Sequence, residues 1–245
     1  MPQRARRPLP LALLVLSGLL LPVLPLAADP PPDDSTAATA DAPHGRNEGR
    51  DEGQEKEKKE KDKKPAPEEK TSRTRHSITL GGQAIPYTAT AGNYVMKDED
   101  GDAKASIFYI AYTKDGTKDP AGRPVTFCFN GGPGAASLWV HMGAFGPKIV
   151  ERRDDGMGLP PPGRLIDNEF SLLDATDLVF VDPVSTGYSR PAPGEKSKQF
   201  HGFRQDVEWV GEFIRLWVTR NERWASPKFI AGESYGTTRA AGLAR

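Results

Sequence analysis

The chain has 245 residues, with 33 Lys plus Arg balancing 33 Asp plus Glu, so no excess of positive charge marks it for nucleic acid or an anionic membrane surface. Its single cysteine, Cys128, excludes an intramolecular disulfide, and stability must come from a packed core. The charge is unevenly spread along the chain, and only residues 76–245 have the composition of a folded domain.

Residues 1–28 begin with Arg4, Arg6 and Arg7, continue through an apolar block and end in Ala27-Ala28. A basic start, a short apolar stretch and a small-residue cleavage site predict a secretory signal peptide. Pro10, Pro22 and Pro25 and the shortness of the block argue against a stable membrane anchor. The expected location is therefore outside the cytoplasm, periplasmic or secreted. Residues 29–75 follow, rich in Pro, Ala, Asp and Gly and then in alternating charge between Glu55 and Lys64. With no large apolar residue to bury, this segment is predicted to be a disordered charged linker.

Residues 78–94 and 105–113 are rich in β-branched and aromatic side chains and predict antiparallel strands of a meander. The polar stretch 97–102 between them resembles a calcium loop in composition. Tyr109 stands where a bidentate glutamate would be needed, so the stretch predicts a hairpin connection and no metal site. From Val125 the pattern changes to short apolar strands, 125–129, 177–181 and 228–231, each running into a glycine-containing turn. Between the last two, Phe203, Val207, Val210, Ile214 and Trp217 recur at helical spacing and predict a helix with one buried stripe. Strand, helix, strand, sharp turn and helix together predict an α/β fold: a mostly parallel central sheet flanked by helices, carrying N-terminal antiparallel strands. Cys128, inside the first of these strands, is expected to be a buried small hydrophobe.

The chemistry concentrates at Gly232-Glu-Ser-Tyr-Gly236, which lies directly after a strand and before a small-residue segment able to form a helix. That context is the nucleophile elbow of α/β-hydrolases: both flanking positions need glycine, and the turn lifts the Ser234 hydroxyl clear of the sheet. A serine nucleophile also needs N–H donors for the oxyanion it creates. Tyr235, next after the serine, supplies one, and the side-chain-free loop Asn130-Gly-Gly-Pro-Gly134 is suited to supply the second.

Asn130-Gly-Gly-Pro-Gly-Ala-Ala-Ser137, Asp182-Pro-Val-Ser-Thr-Gly-Tyr-Ser189 and Gly232-Glu-Ser-Tyr-Gly236, in that order, resemble the serine carboxypeptidase family. The resemblance implies an incomplete α/β-hydrolase fold in which Ser234 is the nucleophile and Gly132 and Tyr235 give the oxyanion-hole N–H groups. It further implies that Asn130 and Glu233, with Gly131 beside them, bind the free α-carboxylate of a peptide or protein C-terminus. No cofactor or metal is implied. Glu233 could serve a carboxylate only if protonated or hydrogen-bonded, which implies an acidic pH optimum. Where the family usually has a tryptophan, a cysteine and a further carboxylate-binding glutamate, this chain has Cys128, Ala135 and Ala144.

Residues 235–245 hold no Asp, Glu or His, and His44, His76, His141 and His201 all precede the serine, whereas the hydrolase order puts acid and base after it. His141 is expected on a helix surface or a pocket wall. These features lead to the expectation of an N-terminal fragment without turnover of its own, with an exposed sheet edge. An esterase or acyltransferase of the same fold, or an inactive remnant, are the alternative readings.

Overall fold

The computed structural model describes residues 65–245. The predicted signal peptide, and the predicted linker up to residue 64, lie outside the described residues. Ordered structure begins earlier than the linker boundary at residue 75. Strand β1 spans Thr71–Leu80, and just before it Lys70 N–H donates to Asn93 Oδ1 while Val95 N–H donates to Glu69 Oε1. Pairing with β2 (Gln83–Lys97) gives this polar segment a place that its composition does not reveal, because its backbone is satisfied by a neighbouring strand.

The stretch 78–94 is thus two strands and not one. Gly81 and Gly82, at φ +55° and +79°, form the two-residue turn of a hairpin, the Gly-Gly signal that the sequence already carried. β3 (Ala103–Lys114) follows the predicted hairpin connection, where Lys104 bridges Asp98 at 3.0 Å and Glu195 at 2.9 Å. Next come β4 (Val125–Phe129), a short helix α1 (Leu138–Val140) continuing into a wide helical turn (His141–Phe145), and a small hairpin of β5 (Lys148–Val150) and β6 (Leu165–Asp167). β7 (Asp177–Val181), β8 (Arg190–Pro191), α2 (Phe203–Arg220), β9 (Lys228–Gly232) and α3 (Tyr235–Leu243) complete the described chain.

The main sheet runs β1-β2-β3-β7-β4-β9, with β8 also on β3. It is mixed. β7, β4 and β9 are mutually parallel, and β1, β2 and β3 add to them antiparallel. All five residues of β4 and all five of β7 are buried, as both faces of a parallel strand must be when helices and loops cover them. Side chains alternate between two cores: Phe127, Val179 and Val181 pack toward Phe213 and Trp217 of α2, while Cys128, Leu178 and Phe180 face Leu173 and Tyr112. The stripe on α2 is shifted from the predicted one. Val210, Phe213, Trp217 and Val218 are the buried residues, and Phe203 is half exposed.

At the amino ends of the parallel strands, buried Asp177 accepts from Arg123 Nε at 2.8 Å and from Arg223 Nη1 at 2.7 Å. Arg223 also reaches the Arg123 carbonyl at 2.7 Å, which ties the approaches to β4, β7 and β9 together. Among the described residues no helix is long and apolar enough to cross a membrane.

Candidate active site

Parallel strands deliver the turns after them to one edge of the sheet, the edge where ligands bind in open α/β folds. Phe129 is paired with Gly232 and Cys128 with Phe180, so the loops after β4, β9 and β7 emerge side by side. The three sequence motifs, beginning at Asn130, Asp182 and Gly232, meet there.

Ser234 sits at the junction of β9 and α3 with φ 54° and ψ −126°, a strained conformation for a residue with a side chain, and it is exposed. The glycines of the elbow are required by contact. A Cβ on Gly232 would lie 2.1 Å from Gly236 O, and one on Gly236 would lie 2.9 Å from Phe129 O. The turn is closed by Gly236 N–H to Glu233 O at 2.8 Å and Thr237 N–H to Ser234 O at 2.9 Å.

Gly131 and Gly132 lie against this elbow. A Cβ on Gly131 would come within 2.3 Å of Tyr235 N, so the loop backbone is in contact with the start of α3. Gly132, at φ +107°, turns the chain where a Cβ would meet the amides of Gly134 and Ala135 at 2.8 and 2.9 Å. The structure therefore brings together Ser234, Tyr235, Gly131 and Gly132.

Asn130 is wholly buried and uses both ends of its amide. Its Oδ1 accepts from Trp139 N–H at 3.0 Å and Val140 N–H at 3.1 Å, capping α1, and its Nδ2 donates to Glu233 Oε2 at 3.0 Å. The bond joins the two residues singled out as the carboxylate-binding pair. The loop after β7 is held from within: Asp182 accepts from Ser137 N–H at 2.8 Å, and Ser189 Oγ donates to the Asp182 carbonyl at 2.6 Å. Burial pushes the Asp182 carboxyl above its ordinary range, against the pull of the Ser137 and Tyr188 amides.

A cavity of about 520 Å³ opens beside Tyr235, walled by Pro133, Val184, Phe200 and Phe203, with His201 Nε2 3.2 Å from Ser185 Oγ. Its lining comes mostly from the 183–206 region, which holds the second family motif and the start of α2.

Two side chains at the site were not foreseen. Arg239 and Asp206 make a buried pair, Nε to Oδ2 at 2.8 Å, behind Tyr235. A single arginine in a small-residue helix gives no sequence signal, because its partners lie on other elements. His141 departs from its expected place on a helix surface or a pocket wall. It is buried, bonded through Nε2 to Tyr112 Oη at 2.7 Å and stacked on Phe180, and burial lowers its pKa to about 4. It is a neutral core side chain. Cys128 is buried in β4, its thiol pushed up to about 12 by burial. Among the described residues no group of His, Cys, Asp and Glu is arranged to hold a metal ion.

Comparisons with known proteins agree with the motifs. Residues 82–244 match the family model described as serine carboxypeptidase. Serine carboxypeptidase-like 42 of Arabidopsis thaliana is 30% identical over 165 residues, which are 64% of this chain and 31% of that protein. The pheromone-processing carboxypeptidase KEX1 of Saccharomyces cerevisiae is 29% identical over 126 residues, 49% of this chain and 16% of that one. The crystal structure of the prohormone-processing carboxypeptidase Kex1 from that yeast superposes with a TM-score of 0.53 at 24% identity, over 64% of this chain and 33% of that chain, a likeness of fold. The chain spans about a third or less of the length of these relatives.

Proposed function

Because this chain belongs to the serine carboxypeptidase family, we propose that it supplies the nucleophile, the oxyanion hole and the carboxylate-binding pair of an enzyme that removes C-terminal amino acids from peptides. Ser234 Oγ attacks the carbonyl of the last peptide bond while a general base takes its proton and then gives that proton to the departing amine. The N–H groups of Gly132 and Tyr235 stabilise the oxyanion that forms, and collapse of the intermediate releases the C-terminal amino acid and leaves an acyl-enzyme for water to hydrolyse.

The observation that carries the peptide reading is the bond between buried Asn130 and Glu233, immediately beside Ser234 and Gly131. The pair presents to a substrate carboxylate the exposed Glu233 carboxyl group, held in place by the buried Asn130 amide. No described histidine is assigned as the base. His76 is bonded to Thr74 on β1, His141 is in the core, and His201 faces Ser185. The general base and its acid partner are left unassigned among residues 65–245. An exported location, periplasmic or secreted, fits the composition of residues 1–28.

The test is hydrolysis, by the intact protein, of an N-blocked dipeptide with a free C-terminus, its C-terminal amide and a matching ester. Carboxypeptidase action requires the free acid to be cleaved at least about tenfold faster than the amide, a factor worth about 1.4 kcal/mol, with Ser234→Ala abolishing it. Cleavage of the ester alone would establish the esterase alternative and end the peptide reading.

A further inference from the structure

The two arms of the oxyanion hole belong to segments about a hundred residues apart in sequence, and something must hold them in register. The contacts around α3 show what does. Arg239, one turn into that helix from Tyr235, is almost wholly buried at 1% exposure. Its Nη1 donates to the Asn130 carbonyl at 2.8 Å, at the point where β4 gives way to the glycine loop. Its Nε donates to Asp206 Oδ2 at 2.8 Å on the first turn of α2. The guanidinium carbon lies 4.9 Å from the Phe129 ring centre and 5.4 Å from that of Tyr235. One planar group thus touches the end of β4, the oxyanion loop, the start of α2 and the residue after the nucleophile.

The geometry points to Arg239 as a positioning residue for the proposed reaction: it locks the Gly131-Gly132 loop onto the nucleophile elbow and so sets the separation of the two oxyanion donors. This rests on the carboxypeptidase reading. A guanidinium suits the task because it is always charged, its donors are fixed in a plane, and it can bond two acceptors while stacking on rings. The Asp206 carboxylate neutralises it locally, so the cation does not bring an uncompensated charge into the interior. The Asn130 carbonyl has no other hydrogen-bond donor among the contacts of the described residues, and without Arg239 the loop would lose its anchor on α3.

Misplacement by about 1 Å costs about 10²-fold in rate, and loss of one oxyanion donor costs about 10² to 10³-fold. The oxyanion contact forms only in the transition state, so its loss falls on kcat and leaves KM nearly unchanged.

The experiment compares wild type, Arg239→Lys and Arg239→Ala in the intact protein with a free-acid dipeptide, alongside circular dichroism and thermal melting. The expected results are a kcat about 10²-fold lower in Arg239→Ala and about tenfold lower in Arg239→Lys, each with KM within about threefold. Methylguanidine should restore Arg239→Ala at least about tenfold, and an equal concentration of ethylammonium should not. If Arg239→Ala does not fold, Arg239→Lys decides: a lower kcat with wild-type melting and KM supports the role. Wild-type kcat in Arg239→Lys overturns it, and so does a loss matched by the loss of folded protein with no rescue. A wild type that cleaves no free-acid peptide removes the carboxypeptidase reading itself, an outcome distinct from an active wild type whose Arg239 variants are unchanged.

Discussion

Replacing Asn130 separates its structural work from its proposed role at the substrate. In Asn130→Ala, the Trp139 and Val140 amides lose the oxygen that accepts from both at 3.0 and 3.1 Å. An unsatisfied buried donor costs about 1–3 kcal/mol, and Val140 is buried while Trp139 is open to water. The Val140 amide therefore carries most of the cost, and the bond to the exposed Glu233 adds at most about 1 kcal/mol. The sum is about 3 kcal/mol, which for a protein of this size corresponds to a melting temperature lower by about 6–12 °C. Asn130→Asp keeps the accepting oxygen, and at an acidic pH where its carboxyl group is protonated it still donates to Glu233, so its expected loss in that comparison is about 1 kcal/mol or less, whereas at neutral pH the two carboxylates repel. Both variants should raise KM for a free-acid dipeptide and leave cleavage of an ester without that carboxylate unaffected. Urea unfolding of the three proteins at one pH, with paired kinetics, provides the readout. Equal stability of Asn130→Ala and wild type, or equal destabilisation by Ala and Asp, would refute the capping argument.

Ser234 holds a positive φ that glycine adopts freely, so Ser234→Gly should gain about 1 kcal/mol of stability while losing all activity. Ser234→Ala, which keeps the strain, should melt with the wild type; matching melting points for Ala and Gly would remove strain from the account. The pKa of His141 falls from 6.5 to about 4 on burial. Between those values the unfolded chain binds a proton that the folded chain does not, so stability should fall as pH drops from 6.5 toward 4, by up to about 3 kcal/mol. His141→Gln removes the titrating group, and its unfolding free energy should be flatter over that window; parallel profiles for the two proteins would show that some other group carries the dependence.

The α/β class, the three parallel strands, the helix between the last two and the elbow at Ser234 were legible in the sequence. Each is written in local chemistry: apolar runs too short for helices, a 3.6-residue period, and glycines where a Cβ would strike backbone 2.1 and 2.9 Å away. The turn at Gly81 and Gly82 was equally local, a Gly-Gly pair inside the stretch 78–94. The early start at Thr71 was not local, since a polar strand is identified only by the neighbour that satisfies its backbone. For His141 and Phe203, unlike Cys128, position relative to the surface was not legible, since it depends on contacts from other elements: His141 is in the core and Phe203 is half exposed.

What the sequence by itself determined is the tight turn that carries the proposed nucleophile Ser234, because such a turn is fixed by neighbouring residues. The tertiary structure alone decided which groups hold it. The partners of Asn130 and Arg239 come from other elements, brought within 2.8–3.1 Å only by the parallel pairing of β4 with β9 and the docking of α2 and α3. Hydrogen bonds and stacking act through space over a few ångströms, whatever the separation along the chain.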